Sequence, residues 1–192
     1  MAGDIGMKEG SKSAWRTRLI VRRRQISSVD RIAAAKSARD ILSHSPIFQK
    51  SQHIACYYPL NDEFDCLPII QAIWESDKNC YLPVLANNLL CFKRYQENTQ
   101  LALNRYNIPE PAQEESIALE KLDLVIVPLV GFDQQGHRLG MGAGYYDRTF
   151  HNLDGSLLGL AYESQQALEL PSDSWDVPLR AVLTEKRFIS FA

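Results

Sequence analysis

Cysteine is scarce in this chain. The four residues, Cys56, Cys66, Cys80 and Cys91, include no CxxC pair, so the usual signature of a cysteine metal site or redox pair is missing. Cys56, Cys80 and Cys91 fall in strand-like runs and are expected to be buried thiols, with no metal and no disulfide, as suits a cytosolic chain. Long apolar runs are missing too. None approaches the ~20 residues that span a bilayer, and the first ten residues, MAGDIGMKEG, hold no apolar core for a signal peptide. Nor is there an excess of one charge: 21 Lys and Arg against 23 Asp and Glu leave −2, which exerts no global pull toward nucleic acid or membrane. Internal repeats, low-complexity segments, and Ser-His-Asp or Cys-His constellations are also absent. The expectation is a soluble, cytoplasmic, monomeric protein that acts on small molecules. It would have one domain over residues 11–192, and residues 1–10 would be a disordered N-terminus.

What is present alternates between two periods. Lys12 to Gln25 reads as a helix with Trp15 and Leu19 inward and arginines elsewhere. A second helix runs from Val29 to His44, capped by Ser28 and closed by Pro46. His53 to Pro59 is strand-like, Phe64 to Ser76 helical, and Cys80 to Leu85 and Leu89 to Tyr95 are strands. Glu97 to Ser116, with Pro109 and Pro111, reads as a long surface loop. Leu122 to Leu129 (LDLVIVPL) is an unbroken apolar run, as expected of a parallel strand covered on both faces. A helix from Tyr145 to Asn152, a strand from Leu157 to Tyr162, a short helix from Ser164 to Glu169 and a strand from Ala181 to Thr184 complete an α/β pattern.

Five of the ten glycines lie between Gly131 and Gly144, inside GFDQQGHRLGMGAGYYDR. Gly140, Gly142 and Gly144 alternate just before a helix, where glycine admits positive φ and close approach of backbone to a ligand. Such a loop can turn successive N–H groups toward an anion. Arg138 supplies a planar cation for phosphate oxygens, and Asp147 a carboxylate that could hold a divalent metal against them. The loop is neither a Walker A motif nor a clean GxGxxG, and a structural turn is the bland alternative. His137 reads as an exposed loop residue and Trp175 as packing.

A second cluster, YYPLNDEFD (Tyr57 to Asp65), places carboxylates beyond the carboxyl end of a strand, where open α/β sheets bind ligands. Glu63 or Asp62 could accept hydrogen bonds from an amine-rich ligand or could serve the next helix's first turn. Asp65 is assigned to the cap.

In this order, these segments resemble the 5-formyltetrahydrofolate cyclo-ligase family. The loop is similar to that family's Gly-Phe-Asp, Gly-x-Arg-Leu-Gly and Gly-Tyr-Tyr-Asp signature. KSAWR (Lys12 to Arg16), YYPLNDEFD, YNIPEP (Tyr106 to Pro111) and WDVPL (Trp175 to Leu179) support it along nearly the whole chain. The resemblance implies a three-layer α/β/α fold with a mostly parallel sheet, like the sugar-phosphate isomerase and CoA-transferase group. It also implies ATP- and Mg²⁺-dependent closure of 5-formyltetrahydrofolate to 5,10-methenyltetrahydrofolate, with release of ADP and phosphate.

Carried over by residue, Lys12, Arg16 and the stretch Arg138, Leu139, Gly140, Met141, Gly142, Ala143, Gly144 and Tyr146 would contact ATP. Tyr58, Glu63, Tyr106 and Tyr145 would contact the folate, Asp147 and Asp176 the metal, and Arg138 and Tyr145 would be catalytic. The remaining arginines between Lys12 and Arg24 would form a solvated helix face. The chain departs from common family residues at Met141, Ala143 (Lys in some members) and Arg180 (often acidic). Those departures are the support for one alternative, a non-catalytic folate- or nucleotide-binding protein on the same fold. An RNA-contacting module using the basic stretch ranks last.

Overall fold

A computed structural model of the chain describes residues 10–112, 115–151, 153 and 157–191. The expected disorder at the N-terminus falls on residues 1–9, outside the described ones, except for Gly10, which is exposed coil. Helix α1 spans Lys12–Arg24. Ser11 caps it by accepting from Ala14 N, and Arg22, Arg23 and Arg24 sit in its last turn, where cations suit the helix dipole. Helix α2 spans Ser28–Ser43, and its cap is Ser27 rather than Ser28: Ser27 Oγ accepts from Asp30 N at 3.1 Å. Pro46 does not close that helix. It opens a short helix α3, Pro46–Lys50, because proline fits a first turn that has no use for its missing N–H.

Strand β1 (His53–Ala55) is shorter than the run HIACYYP suggested. Helix α4 (Leu67–Glu75) begins three residues later than expected, with Pro68 in its first turn. Strands β2 (Asn79–Ala86) and β3 (Leu89–Arg94) form a hairpin. The expected long loop contains a second one, β4 (Leu101–Leu103) with β5 (Pro109–Pro111), followed by β6 (Ser116–Ile117). Proline is tolerated in so short an edge ribbon. Asn104 Oδ1 ties the turn by accepting from Tyr106 N at 2.8 Å and Ile108 N at 3.1 Å.

Strand β7 (Leu124–Pro128) leads into a small hairpin, β8 (Gly131–Phe132) with β9 (Arg138–Leu139), and then helix α5 (Tyr145–Phe150). The expected end of that helix at Asn152 lies outside the described residues. Strands β10 (Leu157–Leu160), β11 (Ala181–Leu183) and an unanticipated β12 (Phe188–Ser190) finish the fold. The helix expected at Ser164 to Glu169 is a single 3₁₀ turn, Glu163–Gln165.

Among the described residues the main sheet has the order β12-β11-β10-β7-β1-β2-β3-β6. Strands β11, β10, β7, β1 and β2 are mutually parallel; at the edges β12 and β3 run against them, and β6 pairs antiparallel with β3. Alternate residues serve opposite faces. Ile54, Leu124, Ile126, Leu158 and Leu160 pack with α2, α3 and α4, whereas Ala55, Val125, Val127, Leu157 and Val182 pack with α5. Both faces of the central strands are therefore buried, as the unbroken apolar run of β7 implied. Each such Val, Leu or Ile side chain contributes about 1.5–3 kcal/mol when fully removed from water.

Helix α1 docks elsewhere, on the β8–β9 hairpin, through Trp15, Leu19, Val130 and Leu139. Its basic stretch is not wholly a solvated face. Arg23 is 4% exposed, donates from Nε to Asp62 Oδ2 at 3.0 Å, and reaches the Leu129 carbonyl from Nη1 at 3.4 Å.

The docking of α1 requires a glycine at 131. A Cβ there would lie 2.3 Å from Leu19 Cδ1. Gly131→Ala is therefore expected to destabilise the protein by about 1–3 kcal/mol, read as a lower urea midpoint at unchanged slope. An unchanged midpoint would show that α1 can move aside freely.

Candidate functional site

Strands β1 and β7 are neighbours, yet the chain leaves them toward opposite faces of the sheet. After β1 it climbs to α4, and after β7 it passes through the small hairpin to α5. Between such diverging connections an open α/β sheet has its natural crevice. A cleft of about 760 Å³ lies there, lined by Tyr57, Tyr58 and Glu63 after β1, by Arg138 to Arg148, by the β4–β5 hairpin, and by Lys12, Arg16 and Trp175. All the residues expected to contact nucleotide, folate or metal border this one cleft.

The glycine loop is built differently from the simple expectation. Gly142 (φ +103°) and Gly144 (φ +67°) occupy the left-handed region that disfavours side chains, but Gly140 does not. Gly140 contributes its carbonyl, which accepts from Arg16 Nε at 2.7 Å. Gly142 contributes close approach, since a Cβ there would sit 3.3 Å from Arg16 Cζ. Ala143 is exposed, and Met141 is 63% exposed on the cleft rim. Arg180 is exposed just before β11 and is not among the residues that line the cleft.

Arg138 is the best-enclosed cation of the cleft. Its side chain is 4% exposed, Nη2 bonds Asp147 Oδ1, and the buried Nη1 has no hydrogen-bond partner among the described residues. A buried donor left unmade is expensive, and an anion entering the cleft would relieve it. Asp147 Oδ1 also accepts from Val177 N at 3.2 Å, which brings it beside the segment that carries Asp176. Lys12 Nζ bridges Asp173 (2.6 Å) and Asp176 (2.5 Å). Burial lowers the Lys12 pKa, but the two carboxylates outweigh it and raise it overall. Among the described residues no three carboxylate, histidine or cysteine side chains converge as a ready metal cage.

The cleft lining also has an aromatic and acidic part. The Tyr106 and Tyr145 rings meet edge-to-face with centroids 6.3 Å apart, and Arg105 bonds the Tyr145 hydroxyl. Tyr106 and Arg105 together pull the Tyr145 phenol below its ordinary pKa. Tyr146 is enclosed, and burial raises its pKa, with the nearby Glu63 adding to the effect. Glu63 Oε2 accepts from Leu60 N at 3.0 Å, while Oε1 makes no hydrogen bond among the described residues. Burial pushes the Glu63 pKa up, against the pull of Leu60 N and Arg23. Asp62, the other candidate, is committed to Arg23 and Arg24, and Asp65 Oδ1 takes up Leu67 N as the cap.

Two residues were misjudged in the sequence and one was missed. Trp175 is not packed: it is 61% exposed on the cleft rim. His137, expected to be an exposed loop residue, is in the loop but half-buried, with its Nδ1 2.8 Å from Asp133 Oδ2. Asp133 itself was not singled out. It is fully buried and also accepts from Gln135 N, His137 N and Leu170 N, so it holds the hairpin that aims Arg138. Its place inside Gly-Phe-Asp was the only available signal.

Comparison with known proteins agrees with the geometry. The 5-formyltetrahydrofolate cyclo-ligase family profile matches residues 8–185. The chain is 40% identical over 143 residues to a 5-formyltetrahydrofolate cyclo-ligase of Haemophilus influenzae, covering 70% of this chain and 76% of that one. It is 37% identical over 161 residues to the Escherichia coli protein of that name, covering 79% and 87%. A solved structure of Aquifex aeolicus 5,10-methenyltetrahydrofolate synthetase superposes with a TM-score of 0.84 at 32% identity, covering 93% of this chain and 92% of that one.

The raised Glu63 pKa sets a pH dependence. Between the ordinary value of 4.5 and the higher folded one, the native state holds more protons than the unfolded chain, so this residue's contribution to stability falls as pH rises through that window. Glu63→Gln removes the effect. The melting temperature of the variant relative to wild type is expected to climb as the pH rises above 4.5. A flat difference would mean that the carboxylate is not held in a low-polarity wall.

Proposed function

The chain belongs to the 5-formyltetrahydrofolate cyclo-ligase family, and from that premise we propose how its cleft carries out the reaction. The activity is ATP-dependent closure of 5-formyltetrahydrofolate to 5,10-methenyltetrahydrofolate. ATP passes its γ-phosphoryl group to the formyl oxygen and leaves as ADP. N10 of the folate attacks the activated carbon, the ring closes, and the carbon–oxygen bond breaks to release phosphate. The substrate supplies its own nucleophile, so the protein needs cations and positioned donors more than an activated side chain.

The observation that carries this reading is the buried, unpartnered Nη1 of Arg138 on the cleft wall. It is a donor lacking only an anion. Arg138 would stabilise charge on the transferring phosphoryl oxygens. Arg16 and Lys12 would hold the remaining phosphates, and the loop from Leu139 to Gly144 would wrap them, with Tyr146 behind. Glu63 would accept from the amino group and ring N–H of the pterin through its free Oε1. Tyr58 and Tyr106 would flank the folate, and Tyr145, its hydroxyl polarised by Arg105, would donate toward the reacting formyl group.

The carboxylates fit a magnesium ion that takes most of its ligands from phosphate and water. Asp173 and Asp176 already share one cation, the Lys12 ammonium. Asp147 and Asp176 would hold the metal, which would neutralise charge on the phosphates. The free, buried thiols Cys56, Cys66 and Cys80 suit the reducing cytoplasm, where we place the reaction.

Incubation with 5-formyltetrahydrofolate, ATP and Mg²⁺ is expected to produce the near-ultraviolet absorbance of the methenyl product, and chelation of the metal should stop it. Folded protein that gives no absorbance rise would sink the assignment. Arg138→Ala should lower turnover by about 10²–10³-fold, the usual loss when one donor to developing charge is removed. Wild-type turnover in that variant would show that Arg138 is peripheral.

A further inference from the structure

The chain has three tryptophans, and two have settled surroundings. Trp15 is 8% exposed and lies under the Arg18 guanidinium, which is 4.9 Å from its ring centroid. Trp74 donates from Nε1 to the Tyr95 carbonyl at 2.9 Å and packs on the Tyr95 ring. Trp175 has neither kind of contact. It is 61% exposed, belongs to none of the buried clusters, and its Nε1 makes no hydrogen bond among the described residues. A large exposed apolar ring on a cleft is informative where a scattered surface leucine is not.

The backbone beneath Trp175 is nevertheless tied down. Asp176 Oδ2 accepts from Asp173 N at 2.8 Å, and Asp176 N donates to Asp173 O at 3.0 Å. Lys12 clamps both carboxylates from α1, and Asp147 holds the next residue through Val177 N. A rigid turn therefore presents a bare ring. The ring lines the same cleft as Lys12, Arg16 and Met141; it sits within the Asp173–Asp176 turn that Lys12 clamps, and Met141 follows the Gly140 carbonyl that Arg16 grips. The residues proposed for the folate make their contacts elsewhere, Glu63 with Leu60 N, and Tyr106 and Tyr145 with each other and Arg105. Beyond a phosphate cradle, a nucleotide has one large flat apolar part left to place, its base.

We propose that Trp175 is the stacking platform for the nucleobase of the ATP used by this enzyme, with Met141 as the neighbouring apolar surface. The inference rests on the nucleotide reading above and deepens it. Every base offers a π-face, so a platform of this kind adds affinity without needing a hydrogen-bonded base edge.

The test separates base from phosphates by comparing ATP with inorganic tripolyphosphate, each titrated in magnesium buffer. Trp175→Ala should weaken ATP about 5- to 100-fold and leave tripolyphosphate within about twofold of wild type. Trp175→Phe should retain most ATP affinity. Tryptophan fluorescence of the wild type should be quenched by ATP and not by tripolyphosphate, and the quench should vanish in Trp175→Phe while binding persists. Unchanged ATP affinity in Trp175→Ala, or equal losses for both ligands, would overturn the proposal; equal losses would mean that the ring only supports its turn. A wild-type protein that binds neither ligand would instead overturn the nucleotide reading itself.

Discussion

The protein depends on one topological constraint: two adjacent parallel strands, β1 and β7, must send their chains to opposite faces of the sheet. Helices on opposite faces cannot both approach the end of the sheet, so a crevice is left there. The cleft is lined by the segments leaving these two strands, together with α1, the β4–β5 hairpin and the turn that carries Trp175. Arg23 is one bridge. Its buried guanidinium joins α1 to Asp62 after β1 and to the Leu129 carbonyl at the end of β7. A buried charge persists only when it is paired and hydrogen-bonded, and both partners come from the cleft-forming segments. The stability of that charge and the shape of the cleft are one problem with one solution.

Electrostatics in the cleft follows the same economy of positions. Lys12 is shared between two carboxylates, Arg138 is paired with Asp147, and Arg16 is spent on a backbone carbonyl. Each cation is aimed before a ligand arrives, so little reorganisation is left for the moment of reaction. Among the described residues, Arg138 Nη1 and Glu63 Oε1 on the cleft wall are left without a hydrogen bond.

Much of this was legible in the sequence, for stated reasons. The run LDLVIVPL announced a strand buried on both faces because apolar residues without alternation leave no face for water. The loop GFDQQGHRLGMGAGYYDR announced a glycine turn on the cleft wall because glycines and an arginine crowd ahead of a helix. Asp133 was not legible, because its role depends on the Leu170 amide 37 residues away as well as on its own turn. Trp175 was misread, because tryptophan is usually packed and nothing in WDVPL says which side of a turn it occupies. The β4–β5 ribbon was hidden by prolines, which argue against strands in general but not against a three-residue edge pair.

The amino-acid sequence by itself determined the α/β class, the family and the identity of the residues that border the cleft. Local composition and ordered motifs suffice for those, because glycine, charge and apolar period act over a few residues. Tertiary structure alone decided which charges are free. Whether Asp62 binds a ligand or Arg23, whether Gly140 bends the chain or clips Arg16, and whether Trp175 packs or faces the cleft all turn on partners brought close by folding from distant parts of the chain. The glycine loop reads as a cradle in one dimension, but its grip comes from α1, more than a hundred residues earlier in the chain.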